Sequence, residues 1–177
     1  MEDGWLKDIR CINSPNYDER PVAVEVSLLV IHAISLPPAQ FDSDDVIHLF
    51  TNVLDPSVHP YFQKIYRKRV SAHFFIRRDG ELIQFVSCEK RAWHAGKSAW
   101  NGRECCNDFS IGVELEGCDD LAFEESQYCQ LDFLVNRLVQ HYSFEAIVGH
   151  SDIAPGRKTD PGPYFDWQRA RGLLPGL

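Results

Sequence analysis

Residues 26–32 read VSLLVIH, so four aliphatic side chains in succession, Leu28, Leu29, Val30 and Ile31, run straight into a histidine. An unbroken apolar run of this length suits a strand covered on both faces, not the alternating pattern of a half-exposed one. It should lie centrally in a sheet, with layers above and below it. Residues 109–115 and 146–150 return to a strand pattern, the second again ending in a histidine, His150. Segments 72–77 and 81–86 flank Asp79-Gly80, a strong hairpin turn. Helical spacing is expected over 43–54, behind an Asp42/Ser43 cap, and over 124–142, where Tyr128, Leu131, Val135, Leu138, Val139 and Tyr142 share one face. Asp166 caps a last short helix to residue 172. The fold expected is α/β: one domain over residues 1–177, a central mixed β-sheet flanked by α-helices. Its strand ends, and with them His32 and His150, would meet at one rim.

Composition narrows the partners. At 177 residues, 44% hydrophobic and 25% charged, the chain is long enough for one core and shows no repeat. A net charge of −8 argues against nucleic acid or an anionic membrane as partner, since both are bound through basic surfaces. No stretch approaches the length of a membrane span, and the opening MEDGWLKDIR has no apolar core of signal-peptide length. A cytoplasmic protein with reduced thiols is therefore expected, although its six cysteines are even in number. None forms a CxxC pair, so a cysteine zinc site is not expected.

The chemistry concentrates in residues 148–167, VGHSDIAPGRKTDPGPYFDW. His150 opens this loop, and Asp160 can fold back to it across Pro155, Gly156, Pro161, Gly162 and Pro163. With His32 they make two imidazoles and one carboxylate, a set that binds a zinc ion and leaves a position for water, the catalytic arrangement. Lys158 offers a positive charge on the same loop. Glu114, at the end of an apolar strand, is a candidate base, but strand alternation puts Glu116 on the same face and periodicity does not separate the two. The polar loop 96–108 could line a groove, with Trp93 and His94 of RAWHAG beside it. His73 ends no expected strand and reads as a core histidine.

Several blocks of this sequence stand in register with one family: GWL at 4–6, SLLVIHAISLPP at 27–38, HPYF at 59–62, RVSAHFFIRRDGEL at 69–82, RAWHAG at 91–96, CNDFSIGVELEG at 106–117 and GHSDIAPGRKTDPGP at 149–163. The chain resembles the zinc-dependent N-acetylmuramoyl-L-alanine amidases, in particular the 1,6-anhydro-muropeptide branch, whose fold is shared with peptidoglycan recognition proteins. The resemblance implies zinc on His32, His150 and Asp160, Glu114 as the catalytic carboxylate, and Lys158 as stabiliser of the developing oxyanion. It also implies Arg69 as a contact to the stem peptide; should Arg69 instead hold the sugar or the fold, Arg103 is the alternative anchor. The implied substrate is a small muropeptide, cut between (1,6-anhydro-)N-acetylmuramic acid and L-Ala during peptidoglycan recycling. The rivals are a non-catalytic peptidoglycan-fragment binding protein and an amidase acting on intact murein. The sequence departs from the family at Ala33, commonly Asn, and at Cys105, where many relatives carry another Arg; neither change touches the metal set.

Overall fold

The computed structural model describes residues 1–174. Its strands are β1 (Arg10–Cys11), β2 (Tyr17–Glu19), β3 (Leu28–Ile34), β4 (Phe74–Ile76), β5 (Leu82–Gln84), β6 (Lys90–Ala92), β7 (Ala99–Trp100), β8 (Arg103–Glu104), β9 (Ser110–Glu116) and β10 (Ala146–Gly149). The helices are α1 (Asp45–Phe50), α2 (Phe62–Ile65), α3 (Glu125–Leu138), α4 (His150–Ile153) and α5 (Trp167–Arg171). Six strands form the main sheet in the order β1-β5-β4-β9-β3-β10, parallel except for the β4–β5 hairpin. The mixed sheet with helices on it is the architecture expected.

The apolar run is covered on both sides. Leu29 and Ile31 join Ile111, Val113 and the inward side of α3 in one cluster, while Leu28 and Val30 pack on the opposite face with Val148, Phe109 and Ile153. A third cluster, built from α1, α2, Phe75, Ile83 and Phe85, covers the rest of that second face. Each fully buried Leu, Ile or Val stabilises by about 1.5–3 kcal/mol. The four before His32 therefore offset the several kcal/mol needed to bury ionisable groups at the strand's end.

Several boundaries differ from expectation. β3 is interior but lies second from the edge, with β9 deeper. α1 stops at Phe50 because Asn52 turns to φ +64° and Val53 points into solvent. α3 ends at Leu138, and the chain beyond it continues as a turn in which the Tyr142 N–H reaches the Leu138 carbonyl. His150 does not end a strand: it opens α4. The loop expected over 96–108 contains the β7–β8 hairpin and a single 3-10 turn, Cys106–Asp108. Among the described residues no helix is long and apolar enough to cross a membrane.

Candidate active site

His32 and Glu114 are paired in register between β3 and β9, so both side chains leave the sheet on its second face. His150 reaches the same rim from the neighbouring strand's end. Asp160 is returned to it by two contacts: the Ser151 N–H donates to the Asp160 carbonyl at 3.0 Å, and Pro161 closes directly on Gly149. A Cβ on Gly149 would stand 2.9 Å from Pro161 and 3.0 Å from the Trp167 ring, so a glycine is required there.

Three donor atoms converge. His32 Nδ1 lies 2.9 Å from His150 Nδ1 and 3.3 Å from Asp160 Oδ2, and His150 Nδ1 lies 3.0 Å from Asp160 Oδ2. The triangle's sides approach the ~3.3 Å that separates ligand atoms when zinc bonds of about 2.0–2.2 Å meet at tetrahedral angles. Two imidazole nitrogens and one carboxylate oxygen are also the borderline donor set zinc takes, so these residues fit a single such ion. Burial pushes the His32 imidazole down to about 4, which keeps it in the neutral, ligating form.

The cleft beside this triangle has a volume of about 460 Å³ and is lined by Glu114, Lys158, Trp93 and His94, together with Lys68 and Tyr61. A larger concavity of about 880 Å³, between Trp5, Tyr17 and Lys90, holds neither histidine nor a ligand triangle. Chemistry, not volume, therefore selects the site.

Glu114 and Glu116 are both buried, and their partners separate them. Glu116 accepts from the Asp42 N–H at 2.9 Å and the Arg78 N–H at 3.1 Å, so it is a clamp between two loops. Glu114 keeps a buried Oε2 with no partner among the described residues. Desolvation, and to a lesser degree the Asp160 charge, raise its carboxyl well above the ordinary range, while Lys158 opposes them. Such a group can take a proton near neutral pH.

The other expected residues are distributed unevenly. Trp93 is half-buried on the cleft wall. His94 lines the cleft, yet both ring nitrogens are engaged, Nδ1 with His32 Nε2 at 2.9 Å and Nε2 with Ser110 Oγ at 3.2 Å. Burial, with the neighbouring imidazoles, holds His94 well below its ordinary value. Arg69 is exposed between the cleft-lining Lys68 and Val70. Arg103 lies on the β7–β8 hairpin with its guanidinium 3.8 Å from the centre of the Phe109 ring, and it is absent from the cleft lining. His73 is fully buried, its Nδ1 accepting from the Gly112 N–H and its Nε2 within 3.0 Å of the Lys90 carbonyl.

Two supporting residues carried no signal in the sequence. Ser110 meets His94, and Arg20 donates to the carbonyls of Cys88, Asn107, Asp108 and Ser110, fixing the entry into β9. Arg20 belongs to no motif, and although Ser110 lies within the 106–117 block and the strand expected there, nothing in that block marks its hydroxyl as a partner of His94.

Comparison with known proteins identifies the family. The chain is 54% identical over 176 residues to the 1,6-anhydro-N-acetylmuramyl-L-alanine amidase AmpD of Citrobacter freundii, covering 98% of this chain and 94% of that one. A crystal structure of a Se-Met AmpD derivative superposes with a TM-score of 0.95 at 53% identity, covering 98% of both chains. The Escherichia coli amidase AmiD, in complex with the substrate anhydro-N-acetylmuramic acid-L-Ala-D-gamma-Glu-L-Lys, matches at a TM-score of 0.67 and 28% identity, over 89% of this chain and 65% of that one. The N-acetylmuramoyl-L-alanine amidase family model matches residues 22–163, which include all three atoms of the triangle and Glu114, and the chain belongs to that family.

Proposed function

We propose that this amidase uses one zinc ion, held by His32, His150 and Asp160, to hydrolyse the bond between the lactyl group of 1,6-anhydro-N-acetylmuramic acid and the L-Ala of the stem peptide, in peptidoglycan recycling. The convergence of three ligand atoms beside an unpartnered buried carboxylate carries this reading. The substrate follows from the relatives, one named for it and one crystallised with it. Residues 1–177 would act as a single catalytic unit.

Zinc held by His32, His150 and Asp160 would supply Lewis-acid polarisation of the scissile carbonyl and lower the pKa of a water to about 7. The chain's own groups do the rest. Glu114 Oε2 takes a proton as the water oxygen bonds to the carbonyl carbon. It then returns that proton to the departing nitrogen as the C–N bond breaks, and the second proton of the water passes from the new carboxyl group to the amine, leaving a lactyl carboxylate and an L-Ala ammonium. Lys158 faces the oxygen on which negative charge develops. Trp93 offers a ring for the sugar or peptide to pack on, and Arg69 a guanidinium for a stem carboxylate.

A non-catalytic fragment receptor fits less well, because an unpaired buried carboxylate costs stability and a receptor has no use for it. Location in the cytoplasm is supported by the six free cysteines. The test is zinc content of the purified protein together with release of free stem peptide from anhydro-muropeptides and from intact sacculi. Stoichiometric zinc with release from the soluble fragments is expected; faster release from sacculi would make the protein a murein amidase. Full zinc occupancy and activity in His150→Ala would overturn the ligand assignment.

A further inference from the structure

We propose that His94, backed by Ser110, is a positioning residue that fixes the tautomer and orientation of His32, so that a bare His32 Nδ1 faces the metal position. The proposal rests on the zinc reading above and adds to it the residues that prepare the site.

The hydrogen-bond chain starts at a carbonyl, which can only accept. Ser110 Oγ lies 2.6 Å from the Cys106 carbonyl oxygen, so the hydroxyl proton is committed there. Toward His94 Nε2, 3.2 Å away, Ser110 Oγ must then act as acceptor, and His94 Nε2 carries the hydrogen. A neutral imidazole has one such hydrogen, which leaves His94 Nδ1 bare. His32 Nε2, 2.9 Å from it, is therefore the donor, and His32 Nδ1 keeps its lone pair. The same logic holds for His150, whose Nε2 lies 3.0 Å from the Ala95 carbonyl and whose Nδ1 is thereby bare.

This has a consequence for the triangle. The 2.9 Å contact between His32 Nδ1 and His150 Nδ1 holds no proton, and neither do their contacts to the Asp160 carboxylate. Three lone pairs face one another, an arrangement that repels itself and is relieved by a cation. The relay is built into the backbone: the His94 ring occupies the space above Gly112, where a Cβ would stand 2.4–2.6 Å from ring atoms. Asn107 Oδ1 also accepts from the His94 and Ala95 N–H groups at 3.2 and 2.8 Å.

The experiment compares wild type with His94→Leu, His94→Asn and Ser110→Ala. Zinc affinity of the metal-free proteins is measured by competition with a chromophoric chelator, and the imidazole tautomers are read from nitrogen-15 NMR spectra. His94→Leu should weaken zinc binding by about 10–100-fold, the usual effect of losing the partner that orients a ligating histidine. His94→Asn, which keeps an acceptor oxygen near the Nδ1 position, should recover most of it. Metal-free wild type should show His32 protonated at Nε2, and Ser110→Ala should show a tautomer mixture. Unchanged zinc affinity in a folded His94→Leu variant, or His32 protonated at Nδ1 in wild type, would overturn the proposal. If His94→Leu does not fold, the wild-type and Ser110→Ala spectra decide. A wild type that binds no zinc would instead defeat the function proposed above, and its tautomer spectrum would still judge the relay.

Discussion

His32 and Glu114 sit side by side on neighbouring parallel strands, partners in the register of β3 and β9. His32 and an unpartnered carboxylate are thus held by two buried interior strands, not by loops. Their separation is set by strand spacing, which a single substitution does not alter.

The two carboxylates of β9 should therefore fail differently. Glu114→Ala should retain zinc and lose at least about 10²-fold in turnover. Glu116→Ala should lower the melting temperature through loss of the Asp42 and Arg78 N–H partners, about 1–3 kcal/mol, with a smaller effect on kcat. Kinetics and thermal melts on both variants check this; a crippled Glu116→Ala beside a normal Glu114→Ala would reverse the assignment.

Burial of Glu114 predicts a stability gain when its charge is removed. Below about pH 4.3 the carboxyl is protonated in folded and unfolded chains alike, so it adds nothing to pH dependence there. As pH rises, the unfolded chain releases its proton first, because the folded-state value is raised, and wild type loses stability until pH passes that value. Metal-free Glu114→Gln should thus melt above metal-free wild type at pH 7 and level with it near pH 4. A constant difference across that range would mean the carboxyl is not desolvated.

Lys158 should act on the transition state. Lys158→Ala is expected to lower kcat by about 10²-fold with KM and zinc content little changed. A rise in KM alone would instead make it a substrate anchor.

Arg69 should act on binding. If it holds a stem carboxylate, Arg69→Ala loses about 1.5–3 kcal/mol on tripeptide-bearing anhydro-muropeptides, seen mainly in KM, and much less on a substrate carrying L-Ala alone. Equal losses on both substrates would move the anchor elsewhere along the cleft, where Lys68 already stands.

What could be read from sequence followed from pattern strength. The Leu28–Ile31 run, the Asp79-Gly80 hairpin and the period of α3 each rest on several residues that agree, and each element is present. His32, His150 and Asp160 were legible because two follow apolar runs and the third lies in a Pro/Gly-punctuated loop. Glu116 could not be told from Glu114 by periodicity because its partners, the N–H groups of Asp42 and Arg78, are distant in sequence and carry no side-chain signature. His94 was read as a groove residue for the same reason: its partner His32 is 62 residues away, and nothing in RAWHAG indicates that both ring nitrogens are already engaged.

The order of the main sheet has one further consequence. His32 hangs from an interior strand, whereas His150 and Asp160 both follow β10, the strand at the sheet's margin. Marginal strands open first in local unfolding, and opening this one separates the ligands. An ion gripped by all three would staple the margin to the interior, stabilising the closed form increasingly as the free ion concentration rises above its dissociation constant. Amide hydrogens of β10 should then exchange slowly in loaded protein and quickly after chelation, while those of β9 hardly respond. Loss of metal and fraying of that margin would be one event, seen from two sides.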